Sequence, residues 1–352
     1  MKTVVAAAKA GAQIVALCNL GDEQIAQRTD KVYNKGKVEK GLAFPTCVSV
    51  NNVVGHFSPL AEDTTVLQAG DVVKIALGAH VDGYIAQVAH TLVVREAGDD
   101  KPATGRAANV VSAAHNAAEA AIRLLKAGNT NQQITEAISK VASAFHCAPI
   151  EGVLSHSIKR FTLDGDKVIM NQLDADNTVE EVTFESGEAY TIDIMMSTGS
   201  GATREGEQRT TVYVRNADAA YGLKLKASRF LYSEITRRFP ALPFSLRALD
   251  EDRRGRLGIV EVAKNDLARG FPVLVEKPGE LVAHVQFTAI ITASGTHRLT
   301  SHPADLVQPD HAIEDADLKA LLATAAAPKK KKAASKKNKE EGDKEGAAAA
   351  EN

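Results

Sequence analysis

The stretch Asp71–Thr91, DVVKIALGAHVDGYIAQVAHT, leaves few ways to fold. Asp82 and Gly83 stand between two runs rich in β-branched residues, and an Asp-Gly pair supplies the backbone angles of a two-residue hairpin turn. With the turn there, paired positions sum to 165, so Ala76 faces Ala89 and lies diagonally across from Gln87. Positions 76 and 87 therefore share one face of the hairpin, within side-chain reach of each other.

Around this hairpin the chain alternates helical and extended patterns. Residues 1–34 read as two helices broken at Gly21, and 44–95 as strands and turns. Arg106–Lys126 is an alanine-rich helix closed by Gly128. Thr130 and Gln133 form a capping box for the next helix, whose Ile134, Ile138, Val141 and Phe145 recur at helical spacing. Strands return over 151–170 and 182–214, and again at 281–293. Between them, 215–270 reads as helices with a proline-containing break at 240–243.

With 44% apolar and 24% charged residues, the chain can bury an ordinary globular core. No run approaches the 18 or so apolar residues that a membrane span needs, so no membrane partner is expected. The opening MKTVVAAAKAGAQIVAL is interrupted by Lys9 and Gln13 and reads as an amphipathic helix rather than a signal peptide. Cys18, Cys47 and Cys147 form no CxxC pair and are odd in number, which argues for a reducing compartment and against a zinc knuckle.

At FPTCVSVNNVVGHFSP (44–59) followed by the hairpin, the sequence resembles the methionine aminopeptidases of the pita-bread fold. That resemblance implies a two-metal hydrolase site held by two Asp, one His and two Glu. Carried over residue by residue, Ala76 and Gln87 stand at the two Asp positions. His156, in EGVLSHSIKRF, matches the His, and Asp193, in YTIDIMMSTGSG, takes the first Glu position one methylene short. Gln286, in AHVQFTAI, takes the second, and His56, in NNVVGHFSP, matches a substrate-side His. Four carboxylates thus become one, whereas two cations ~3.5–4 Å apart need several convergent carboxylates. No cofactor and no catalytic residue is expected. His56 then reads as a structural polar residue, His80, His90 and His115 as satisfied histidines, and Asp193 as a partner for His156.

A non-peptidase branch of this superfamily matches more of the chain, from about residue 10 to 322. AFPTCVSVNNVVGHFSPL, LGAHVDGYIAQVAHT, PIEGVLSHSIK, GEQRTTVY, YGLKLKASR and RRFPALPFSLRA resemble the proliferation-associated, ErbB-receptor-binding proteins. One departure is Ala76, where relatives in that branch often keep an Asp. Relatives also carry more residues before the start, so a shortened form is expected. The resemblance implies one α/β pita-bread domain over 1–322, with 215–270 as the helical insert of the second aminopeptidase class. It implies a monomer without peptidase activity that docks at the exit tunnel of the large ribosomal subunit. Its partners there are rRNA and tunnel-exit ribosomal proteins, with further protein partners in the nucleus. Pools in cytoplasm, nucleus and nucleolus, and roles in ribosome biogenesis, translation and growth control, follow from the same likeness.

Charge distribution suits such a partner. From Lys224 to Arg256 the chain holds nine basic and four acidic residues. The basic ones are Lys224, Lys226, Arg229, Arg237, Arg238, Arg247, Arg253, Arg254 and Arg256. Such density suits phosphate contacts, and RNA helices are recognised largely by shape and backbone, with no base-reading motif required. A solvated helical face with internal ion pairs is the plainer alternative. The tail 323–352 is low in complexity and is expected to be disordered, with Lys329, Lys330, Lys331, Lys332, Lys336, Lys337 and Lys339 ahead of an acidic end. Two other functions compete: a metal-dependent methionine aminopeptidase with unusual ligands, and a transcription or receptor adaptor.

Overall fold

The computed structural model describes residues 1–326 apart from 97, 100, 173–178, 250 and 251. Helices α1 (Lys2–Ala7) and α2 (Ile14–Thr29) precede β1 (Lys40–Val50), a short β2 (Val53–Gly55) and the hairpin of β3 (Val72–Val81) and β4 (Tyr84–Val93). Then come α3 (Gly105–Leu124), α4 (Asn131–Ala144), β5 (Ala148–Pro149), β6 (Leu154–Ile158), β7 (Val168–Met170), β8 (Ala189–Ser197) and β9 (Arg204–Glu205). The insert holds β10 (Val212–Arg215), α5 (Lys226–Arg238), β11 (Phe244–Ser245), α6 (Asp252–Lys264) and β12 (Ala268–Phe271). The chain closes with β13 (Leu274–Val275), β14 (Val282–Thr292), β15 (Gly295–Arg298) and α7 (Ala316–Ala323).

The main sheet runs β1-β3-β4-β14-β8-β6-β7, with β15 beside β14 and β5 beside β8. Every pairing in it is antiparallel. Asp82 and Gly83 both take positive φ, 54° and 76°, the geometry an Asp-Gly turn supplies, and Ala76 pairs with Ala89.

Strand alternation decides what each face of the sheet does. Val73, Ile75, Leu77, Val88 and Leu92 pack with Ile14, Leu17 and Cys18 of α2. Ile192, Ile194, Met196, Phe287, Ala289 and Ile291 pack with the alanine stripe of α3 and with Ile134 and Ile138 of α4. The intervening residues of β3, β4, β14 and β8 face the other way, and they include positions 76, 87, 286 and 193. The insert builds its own core from Leu231, Ile235, Phe244, Leu246, Ile259, Val262 and Leu267.

Gly21 does not break a helix. It lies inside α2, and glycine is needed there because a Cβ would collide with the Thr46 side chain of β1. The break falls instead between α1 and α2, where Gly11 takes φ 84°.

Candidate functional site

Two adjacent rows of paired residues cross the sheet on the face away from α2 and α3. The first runs Cys47–Ala76–Ala89–Gln286–Asp193, each directly paired with the next through β1, β3, β4, β14 and β8. The second contains Gly78–Gln87 on β3 and β4 and Thr288–Thr191–His156 on β14, β8 and β6. Its halves are joined where the Gln87 N–H donates to the Thr288 hydroxyl at 2.8 Å. The sheet therefore gathers positions 76, 87, 156, 193 and 286 on one face, two residues apart along the strands.

What these residues do there is bind one another. Gln286 Nε2 donates to Asp193 Oδ2 at 2.7 Å. The Thr191 hydroxyl donates to Gln87 Oε1 at 3.1 Å. His156 does not pair with Asp193: its Nδ1 donates to the Gly165 carbonyl at 3.4 Å. The partner of Asp193 is His284, one row further along β14, whose Nε2 stands 2.8 Å from Asp193 Oδ1. The contact lies off the line of a hydrogen bond, so each of these two buried atoms lacks one. His284 was reachable from the sequence, since it lies two residues before Gln286 on the same strand and so on the same face.

His56 closes the site from the side. It is held at φ 65°, and its Nδ1 donates to the Pro272 carbonyl at 3.1 Å. Its ring meets Phe271 edge-on at 5.4 Å and Phe44 at 5.9 Å. Desolvation in this aromatic setting holds the imidazole below the usual histidine range, against the opposing pull of the Pro272 hydrogen bond and the Asp193 charge.

These residues do not fit a metal pair. Ala76 offers no donor, the amides are neutral, and both oxygens of the one carboxylate already face Gln286 and His284. Among the described residues, no three His, Cys, Asp or Glu side chains are placed to hold a metal ion.

Residues 1–216 match the profile of metallopeptidase family M24. The chain belongs to that family. With the family goes its pita-bread α/β fold. It is 48% identical to the ErbB-3 binding protein 1 of Solanum tuberosum over 327 residues, covering 92% of this chain and 83% of that protein. It is 42% identical to the proliferation-associated protein A of Dictyostelium discoideum, covering 92% and 84%. Among solved structures, a thermophilic Arx1 superposes with a TM-score of 0.87 at 30% identity, covering 93% of this chain and 94% of the other. The chain thus sits with the branch of M24 that carries ErbB-binding and proliferation-associated names.

On this M24 frame, the basic residues of the insert fall into two groups. Lys224, Lys226, Arg229, Arg237, Arg253 and Arg254 are exposed. The Lys224 and Leu225 N–H groups donate to Glu261 on α6, at 2.8 and 3.1 Å, which fixes the start of α5. The Arg254 guanidinium lies 4.9 Å from the centroid of the Phe230 ring.

The rest are structural. Arg238 pairs with Glu234 at 2.6 Å and lies over Phe239, and Arg256 pairs with Glu62. Arg247 corrects the expectation of an RNA-facing cation, because its side chain is only 8% exposed. It donates to Ser58 Oγ at 2.9 Å, to the Pro59 carbonyl at 3.1 Å and to Asp22 Oδ2 at 2.6 Å. Counting charges along the sequence cannot separate such a tie from a solvated cation. The seven tail lysines, Lys329 to Lys339, lie outside the described residues.

Proposed function

We propose that this M24 protein is a non-catalytic, ribosome-associated RNA-contacting protein that docks on the large subunit near the peptide exit tunnel. The reading rests on one contrast. The family's catalytic face holds a single carboxylate, hydrogen-bonded to Gln286 and faced by His284, while α5, α6 and the turn before α5 expose Lys224, Lys226, Arg229, Arg237 and Arg253 to solvent. Exposed cations on one insert suit a phosphate backbone, and the ribosomal setting is what the resemblance of the sequence motifs to the proliferation-associated, ErbB-receptor-binding family implies. The same likeness supports contacts with tunnel-exit ribosomal proteins, roles in ribosome biogenesis and translation, and pools in cytoplasm, nucleus and nucleolus.

Co-sedimentation with large ribosomal subunits across a salt series tests this. The wild-type chain is expected to sediment with subunits and to detach as salt rises. Charge reversal at Lys224, Arg229, Arg237 and Arg253 should release it at low salt. Each cation withdrawn from a phosphate should lower the salt slope by roughly 0.7–0.9. His156→Ala should leave binding intact. Release by His156→Ala with retention of the insert variant would make the former catalytic face the docking surface and overturn the reading.

A further inference from the structure

A second cluster of basic and aromatic side chains lies at the tip of the β3–β4 hairpin, where Leu242 of the insert packs with Ile85 and Phe161 behind it. The segment 31–40, which leads into the first residue of β1, carries Lys31, Lys35, Lys37 and Lys40 against the single acid Glu39. Lys31, Lys35 and Lys37 are exposed and make no ion pair among the described residues. Tyr33 stands between them with 69% of its surface in solvent, and it is held at φ 51°. That angle is costly for a bulky side chain and persists only where the surroundings enforce it.

The enforcing contact is visible. The Lys40 ammonium donates to the Val32 carbonyl at 2.6 Å and to Asn34 Oδ1 at 2.5 Å, gripping the chain on both sides of Tyr33. The backbone that carries the exposed phenol ring is thereby held on both sides.

This loop lies against the hairpin tip. Lys40 pairs with Val81, which pairs with Tyr84, and the Asp82 N–H donates to the Glu39 carbonyl at 2.6 Å. Tyr84 is 70% exposed. The half-exposed Arg160 guanidinium bridges Asp82 at 2.5 Å, and the Phe161 N–H donates to the Gly83 carbonyl at 2.8 Å, so the tip is braced from behind. Two exposed tyrosines on braced turns, interleaved with lysines, have the composition of a platform for single-stranded nucleic acid. Bases stack on the rings while the cations follow the backbone.

We propose that Tyr33, Tyr84 and the flanking Lys31, Lys35 and Lys37 form a stacking site for single-stranded RNA. It would be a second contact beside the duplex-suited insert. The inference rests on the RNA-contacting reading above. An anionic membrane surface suits it less, because Val32 is the one exposed aliphatic residue in this loop.

The test uses the full chain, a 12-nucleotide single-stranded RNA and a duplex of equal length, with binding read by fluorescence anisotropy. The chain has six tyrosines and no tryptophan, so quenching of tyrosine emission reports stacking directly. Replacing both rings (Tyr33→Ala with Tyr84→Ala) should weaken single-strand binding about tenfold or more and abolish the quench, while duplex binding changes less than about twofold. The Tyr33→Phe, Tyr84→Phe pair should bind like the wild type. Removing Lys31, Lys35 and Lys37 together should lower the single-strand salt slope by about 2.

Unchanged single-strand binding by the alanine pair, or equal losses on single strand and duplex, overturns the proposal. Tyrosine-dependent binding to phosphatidylserine vesicles without tyrosine-dependent RNA binding would replace it with a membrane surface. The insert variants and the subunit sedimentation assay report separately on the ribosomal reading, so failure of the two is distinguishable.

Discussion

Arg247 Nη2 stands 2.6 Å from Asp22 Oδ2 and so ties the insert to helix α2 across 225 positions of sequence. Arg247 also serves Ser58 and Pro59, and its side chain is 8% exposed. Removing one partner of such a pair strands the other in a poorly hydrated place. Arg247→Ala should therefore lower unfolding stability by about 3 kcal/mol in a urea titration. Arg237→Ala, on the exposed end of α5, should change it by about 0.5 kcal/mol or less. Equal, small effects would show that the tie contributes nothing.

The two insert helices meet at Gly258, where an added Cβ would lie 2.7 Å from the backbone carbonyl oxygen of Ala227 on α5. Backbone cannot swing aside as a side chain can. Gly258→Ala should cost about 1–3 kcal/mol through separation of α5 and α6, read as a lowered thermal midpoint. A variant as stable as the wild type would mean that the crossing has slack.

Local features of this molecule were legible in its sequence and distant ones were not. The Asp82-Gly83 turn, the register of Ala76 and the Thr130–Gln133 capping box depend on residues a few positions apart, and each is where its spacing requires. Sheet pairing gathers Ala76, Gln87, His156, Asp193 and Gln286 from separate strands, and resemblance rather than spacing pointed to that set. Gly21 shows the opposite case. A glycine read as a helix breaker lies within a helix and is there because a neighbouring strand needs the room that a side chain would fill. Arg247 escaped because what a charged group contacts depends on burial, which periodicity does not carry, whereas the two-residue spacing of His284 and Gln286 on β14 did carry a signal.

His90 gives a pH dependence with a definite sign. It is buried on β4, its ring centroid 4.1 Å from that of His302, and burial together with the His302 and His115 charges pushes its pKa down to about 3. The unfolded chain takes up this proton near pH 6.5, whereas the folded chain refuses it until about pH 3. Stability from this group is complete above about pH 6.5 and is lost as pH falls through that window, by on the order of 3–5 kcal/mol at the limit. His90→Asn should therefore show a shallower fall of thermal midpoint between pH 7 and 4.5 than the wild type. Parallel profiles would remove His90 from the explanation.

Restoring the lost acids tests the reading of the catalytic face. Ala76, Gln87, Asp193 and Gln286 lie in two adjacent rows with His156, so the backbone already places all five positions on one face. The wild-type protein should hold no stoichiometric cobalt, manganese or zinc after dialysis and should not cleave methionyl peptides. The fourfold variant Ala76→Asp, Gln87→Asp, Asp193→Glu, Gln286→Glu should bind divalent cobalt in calorimetry, because carboxylates supply the charge that two cations need. Peptidase activity should lag behind metal binding, since His284 still competes for the side chain at 193 and the surrounding hydrogen bonds are set for amides. Two tightly held metals per wild-type chain by elemental analysis, or turnover that survives stringent purification, would sink this account, because amides and one committed carboxylate cannot neutralise that charge.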